Sequence, residues 1–204
     1  MAQKLHRLYD VWGFGSGHLR VGDLNGDGIA EFLLPQDYPQ NREIFCLTAM
    51  DQDGNILWQY GKPHPECNHV FSDIPVQIYD WDCDGRNEVL FIRQAIYEYA
   101  TIWRYSTASY LQLKVEDYDD LRWNKDYGIE RSDTYIGPAQ LVILDGATGE
   151  EKYVYDIPAS ADDCLAIGFF DGTGKPNALV KDRYWNLWAI SNDGQILWHV
   201  SDQE

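Results

Sequence analysis

The expected fold class is all-β, built from three four-stranded antiparallel units. Composition, an internal repeat and a set of turn signals point to it. The 204 residues include 8 Trp and 14 Tyr, with 17 Gly that recur at turns. Aromatic-rich segments punctuated by glycine suit pleated, half-buried strands better than helices. The internal repeat is visible in two halves of each unit, and the turn signals fall between them.

The first halves align as Gly22 to Leu34, Tyr79 to Phe91 and Gly168 to Val180. Each reads as a strand, a loop rich in Asp, Asn and Gly, and a second apolar strand. The second halves align as Leu47 to Trp58, Leu141 to Tyr153 and Leu187 to Trp198. Each is an apolar strand, a Gly-containing turn and a strand that carries an aromatic. The pairs Asp53-Gly54, Thr148-Gly149 and Asp193-Gly194 are hairpin signals. The units therefore run from about 18 to 61, 74 to 158 and 162 to 202.

Four-stranded sheets repeated in this way are the blades of a β-propeller. The first strand of a blade is expected to line the central axis and the fourth to face outward. Rings of this kind take about four blades or more, so residues 1–204 read as one partial propeller, an arc of an incomplete ring. Further blades of the same protein, or another chain, would complete it. Residues 1 to 17 are expected to supply a strand of a preceding blade.

The loops between first and second strands carry chemistry. One runs Asp23, Asn25, Asp27, Gly28, Glu31; the other runs Asp80, Asp82, Asp84, Gly85, Glu88. Oxygens at loop positions 1, 3, 5 and 9 around a position-6 glycine suit a hard cation with about six to eight oxygen ligands. The main-chain carbonyls of Ile29 and Arg86, at position 7, would add one ligand each. The plain alternative is a pair of Asp/Asn/Gly turns, but repetition in equivalent units favours calcium. Position 12 is Leu34 or Phe91 and the flanks are strand-like, so these are not EF-hands. The third copy has Phe169 and Thr173 in place of two Asp residues and keeps only Asp171 and Asn177. It should retain the turn and bind calcium poorly.

Net charge is −17, which excludes phosphate-backbone recognition as an expected role, since nucleic acid needs a basic surface. Two bound calcium ions would offset about four charges. No apolar run reaches the roughly 18 residues of a membrane span. The four cysteines, Cys46, Cys67, Cys83 and Cys164, lack CxxC spacing and read as free thiols. Cys83 falls in the second loop at a position whose side chain should point away from an ion.

With Phe14-Gly15 followed by Asp23-Leu-Asn-Gly-Asp-Gly28, the chain resembles the FG-GAP repeats of integrin-type propellers. That resemblance implies calcium at the two loops. The Trp-ended hairpins are more loosely similar to quinoprotein-type repeats. A narrower resemblance is to bacterial rhamnogalacturonan lyases built as calcium-bearing propellers. It rests on Asp84 to Glu88, Gly137 to Gly146, and Lys181-Asp-Arg-Tyr-Trp185 after Asn177 to Val180. It covers roughly the last two units and implies an extracellular or periplasmic protein acting on polysaccharide. No catalytic residue transfers from it.

The second unit is longer because of an insertion from 93 to 139, rich in Tyr and Trp with interleaved Arg and Lys. Loops carry function where repeats carry fold. Aromatic rings stack on sugars, and Arg grips a carboxylate through two hydrogen bonds. Trp103, Arg104, Lys181, Arg183 and Tyr184 are the candidate contacts to an acidic polysaccharide or other glycan. The alternative for the insertion is an extended hairpin packed on the next blade. If the chain belongs to a lyase, β-elimination needs a cation or Arg to neutralise the uronate and a base to take the α-proton. Arg183 or Arg104 would serve the first role, and Lys181 or Tyr184 the second. The other functional class left open is a non-catalytic FG-GAP propeller for carbohydrate binding or adhesion.

Overall fold

The computed structural model describes residues 7–15, 17–37, 44–64, 74–94, 139–157, 164–181 and 186–201. Among the described residues are twelve strands: β1 (Arg20–Gly22), β2 (Glu31–Asp37), β3 (Ile44–Met50), β4 (Ile56–Gly61), β5 (Val76–Tyr79), β6 (Glu88–Gln94), β7 (Ala139–Asp145), β8 (Glu151–Ile157), β9 (Cys164–Gly168), β10 (Asn177–Lys181), β11 (Asn186–Ile190) and β12 (Ile196–Ser201). They form three four-stranded sheets in sequential order, β1 to β4, β5 to β8 and β9 to β12. Every pairing is antiparallel, and the described residues include no helix. The first strands lie side by side, β1 against β5 and β5 against β9, so the three sheets fan out from a shared edge.

Burial explains the sequence pattern. The middle sheet packs on both faces, and its central strands are therefore continuous apolar runs rather than alternating ones. Val89, Phe91, Val142 and Leu144 face the first sheet, where they meet Leu33, Leu47, Ala49 and Trp58. Leu90, Ile92, Leu141 and Ile143 face the third, where they meet Val180, Trp188 and Ile190. The fourth strands stay largely exposed.

Pro35 sits inside β2, yet breaks no ladder. β1 pairs only with Glu31 to Leu33, so the missing N–H of Pro35 lies beyond the end of its neighbour. Of residues 7–15, Trp12 to Phe14 form a turn and the rest carry no regular structure. They lie on the first sheet: Tyr9 packs on Phe32 at 5.9 Å between ring centroids, and the buried Gln36 amide donates to the carbonyls of Gly13 and Gly15. The expected strand of a preceding blade is therefore not formed by 7–15.

The three hairpin signals fold as turns closed by a left-handed glycine, the second one residue longer than the others. Gly54, Gly149 and Gly194 each take a positive φ, at 89°, 73° and 83°, and donate to Asp51, Asp145 and Ser191. Past each hairpin the ladder slips by one residue at the same place. The unpaired bulge residues are Leu57, Lys152 and Leu197. A bulge re-aims a side chain relative to the regular pleat.

In such a meander the first–second and third–fourth connections share one rim, and the second–third and fourth–first connections share the other. Both oxygen-rich loops are first–second connections. The insertion leaves β6 and re-enters at β7, on the opposite rim. Its outer residues Arg93, Gln94 and Ala139 are strand residues, with Arg93 paired to Gln140 and Gln94 to Ala139.

Candidate metal-binding loops

The β1–β2 loop is wound around its own side chains. Asp23 accepts from the amides of Gly26 at 2.7 Å and Gly28 at 2.8 Å. Asn25 Oδ1 accepts from Asp27 N at 2.9 Å, and Asp27 Oδ1 from Ile29 N at 2.7 Å. Asn25 Nδ2 donates to Asp27 Oδ2 and Glu31 Oε1, each at 3.2 Å. The second loop repeats this: Asp80 accepts from Asp84 N and Gly85 N, both at 3.0 Å, and Asp84 from Arg86 N at 2.8 Å.

Two left-handed residues make each loop possible. Position 6 is Gly28, Gly85 or Gly174, with φ of 83°, 90° and 79°. Position 4 is Gly26, Cys83 or Gly172, with φ of 80°, 64° and 73°. Cys83 is the one described non-glycine residue with positive φ, and its side chain is exposed.

The position-9 side chain has a role that the ligand pattern does not reveal. Glu31 Oε2 accepts from Leu24 N at 2.6 Å, and Glu88 Oε2 from Trp81 N at 2.7 Å. In the third loop Asn177 Oδ1 accepts from Phe170 N at 2.6 Å. All three acceptors are buried. The bond closes the loop from inside, and an amide does it as well as a carboxylate. This is why the third loop keeps its turn without the acidic set.

Asp80, Asp82 and Glu88 bring carboxylate oxygens within 4.8 Å of one another, and this group could hold a metal ion. The donor set fits such an ion: all are hard oxygens, and Asp82 Oδ1 is buried without a hydrogen-bond partner. Asp84 lies outside this close group. In the first loop Asn25 stands where the second has Asp82, and its amide nitrogen lies between the carboxylates.

Lys152, the bulge residue of β8, reaches into the second loop. Its Nζ is 2.7 Å from Asp82 Oδ2 and 2.7 Å from Glu88 Oε1. Tyr153 OH donates to Asp82 Oδ2 at 3.3 Å. Burial opposes the charge on Lys152, but hydrogen bonds to Asp82 and Glu88 outweigh it and hold the ammonium above the usual lysine range. Burial pushes the Glu88 carboxyl up, and Lys152 and Trp81 N–H offset this only in part. Burial acts the same way on Asp82, yet Lys152 carries it below the usual range. Sequence reasoning missed Lys152. The signal was present as a lysine in the column that Leu57 and Leu197 otherwise fill.

The loops also fasten neighbouring sheets. Asn87 Nδ2 donates to Asp23 O at 2.8 Å, and Asn192 Nδ2 to Trp81 O at 2.7 Å. From the far end of β6, Arg93 reaches Tyr60 OH at 2.7 Å, Glu151 Oε1 at 2.6 Å and Gln140 Oε1.

Of the candidate glycan contacts, Lys181 ends β10 on the rim opposite the loops. Trp103, Arg104, Arg183 and Tyr184 lie outside the described residues. Among the described residues no helix is long and apolar enough to cross a membrane.

No family model and no curated protein matches the chain. Its fold resembles solved structures that include three rhamnogalacturonan lyases. One is Bacillus licheniformis rhamnogalacturonan lyase PL11, with TM-score 0.53 and 18% identity over 93% of this chain and 34% of that one. Another is rhamnogalacturonan lyase YesW, with TM-score 0.58 and 20% identity over 93% of this chain and 35% of that one. The third is the exotype rhamnogalacturonan lyase YesX, with TM-score 0.53 and 16% identity over 91% of this chain and 33% of that one. The chain thus spans about a third of the length of these structures, and what it shares with them is the arrangement of its sheets.

Proposed function

We propose that this chain is a calcium-stabilised segment of a β-propeller in an extracellular or periplasmic polysaccharide-acting protein, of the rhamnogalacturonan lyase type. The observation that carries the reading is the pair of FG-GAP-like oxygen loops on a fold shared with three such lyases. Asp23, Asn25, Asp27, Glu31 and the carbonyl of Ile29 hold one Ca²⁺. Asp80, Asp82, Asp84, Glu88 and the carbonyl of Arg86 hold the other. Calcium there would screen converging carboxylates and clamp the first–second connections.

The metal role is structural. The loops occupy one rim, whereas Lys181 and both ends of the insertion lie on the other. A strand of about six residues separates the rims by roughly 20 Å. Substrate contacts are assigned to that opposite rim, with Arg104 or Arg183 on the uronate carboxylate, Trp103 stacked on a sugar, and Lys181 or Tyr184 taking the α-proton. Further blades of the same protein complete the ring.

Two measurements test this. Calorimetric titration of metal-stripped protein should give two bound Ca²⁺, with Asp23→Ala and Asp80→Ala each losing one. Incubation of the whole protein with rhamnogalacturonan should raise the absorbance of unsaturated uronate. Identities of 16–20% carry the fold and no catalytic residue, which leaves a second reading, a non-catalytic glycan-binding propeller. That reading gives glycan retention with no absorbance rise.

A further inference from the structure

The two loops differ in one respect that their ligand pattern hides. In the second, a formal positive charge already sits among the carboxylates, 2.7 Å from both Asp82 and Glu88. It arrives from another strand, at a β-bulge. The same bulge carries Leu57 in the first sheet and Leu197 in the third, neither of which can supply a charge. In the first loop the group between the carboxylates is the neutral Asn25 amide, which belongs to the loop and can offer oxygen as well as nitrogen.

We propose that Lys152 is a tethered cation that competes with a divalent ion for the second loop, so that the two loops bind calcium with unequal strength. This rests on the calcium reading above. Without metal, the ammonium neutralises Asp82 and Glu88 and keeps the loop closed. To enter, Ca²⁺ must break two short charge-assisted hydrogen bonds and displace Lys152 toward solvent. The first loop imposes no such exchange. Its ion is resident, whereas the second loop tolerates calcium depletion with its geometry intact. The buried, unpartnered Oδ1 of Asp82 is the acceptor that Lys152 leaves to an incoming ion.

Calcium titration by calorimetry separates the sites. In Asp23→Ala only the second loop remains, and in Asp80→Ala only the first. The second-loop affinity is expected to be weaker. Lys152→Met keeps the side-chain volume and removes the charge. It should strengthen the second site by about tenfold or more and leave the first unchanged, while Lys152→Arg should behave like the parent. In chelator, Lys152→Met should melt below the parent, and added calcium should close the gap. Equal affinities in the two Asp→Ala proteins, or an unchanged second site in Lys152→Met, would overturn the proposal while leaving the calcium reading intact. Absence of calcium binding by parent and variants alike would defeat both. If Lys152→Met does not fold, equal affinities in Asp23→Ala and Asp80→Ala still overturn the proposal.

Discussion

The indole Nε1 of Trp58 donates to the main-chain carbonyl of Gly146 at 2.8 Å. It ties the last strand of the first sheet to the hairpin of the second. The ring is 8% exposed and covers Gly149, where an added Cβ would approach it to 2.6 Å. Trp58→Phe should keep the ring contact and lose the bond, leaving the Gly146 carbonyl unpaired. A loss of about 1–3 kcal/mol is expected in denaturant melts. Gly146→Ala should cost more, because its Cβ would meet Asn87 O at 2.2 Å and Leu24 O at 2.7 Å. Wild-type melting of both variants would show that this junction is not a stabilising contact.

The bond from Phe170 N to Asn177 Oδ1 isolates the closing role of loop position 9, since no acidic set accompanies it. Asn177 is fully buried. Asn177→Ala should destabilise by about 1–3 kcal/mol, the cost of an orphaned buried N–H, with no effect on calcium binding. In the first loop, Glu31→Gln should preserve the fold in chelator and weaken the calcium response. A collapse of Glu31→Gln in chelator would argue that the carboxylate charge itself closes the loop.

Cys83 holds φ at 64° where the other two loops have glycine. A side chain in the left-handed region costs about 1–2 kcal/mol, and glycine avoids it. Cys83→Gly should therefore raise stability by up to about 1 kcal/mol once the added chain entropy is subtracted. A lower melting temperature would mean that the thiol makes a contact worth more than the strain.

The Asp51 carboxyl is held below its usual value, first by the Asn55 side-chain amide and then by the amides of Asn55, Asp53 and Gly54. The sign follows from the depressed folded value. Its stabilising contribution is complete above the ordinary aspartate range, near pH 4, and is lost as pH falls through the lower folded value. Asp51→Asn should flatten that acid limb of a melting-temperature profile. An unchanged limb would remove Asp51 from the account of acid sensitivity.

The strand count, the hairpins and the loop turns were legible in the sequence because each depends on neighbours a few residues away. Apolar runs such as Val89 to Ile92, Asp-Gly pairs and glycine at loop position 6 act locally. What was hidden depends on one strand's offset against another. Lys152 is aimed by a bulge, and the bulge shows only in the register of β7 with β8. Asn87 reaches Asp23 only because the two sheets lie face to face. The expected strand at the N-terminal end is absent from 7–15, where the turn at Trp12 to Phe14 is held by the Gln36 amide on the carbonyls of Gly13 and Gly15.

The pairing of Gln94 with Ala139 has an engineering consequence. Partners across an antiparallel rung sit roughly 5 Å apart, so the ends of 95–138 are pinned together by the sheet. The closure of that excursion is met by the ladder, not by its own sequence. The stretch is then a cassette: an Asn-Gly turn can replace it, or a foreign loop can be spliced in, with the rim that carries the acidic loops untouched. A chain so shortened should retain its β-sheet circular dichroism and its calcium titration. Loss of both would show that 95–138 contributes to folding as well as to decoration.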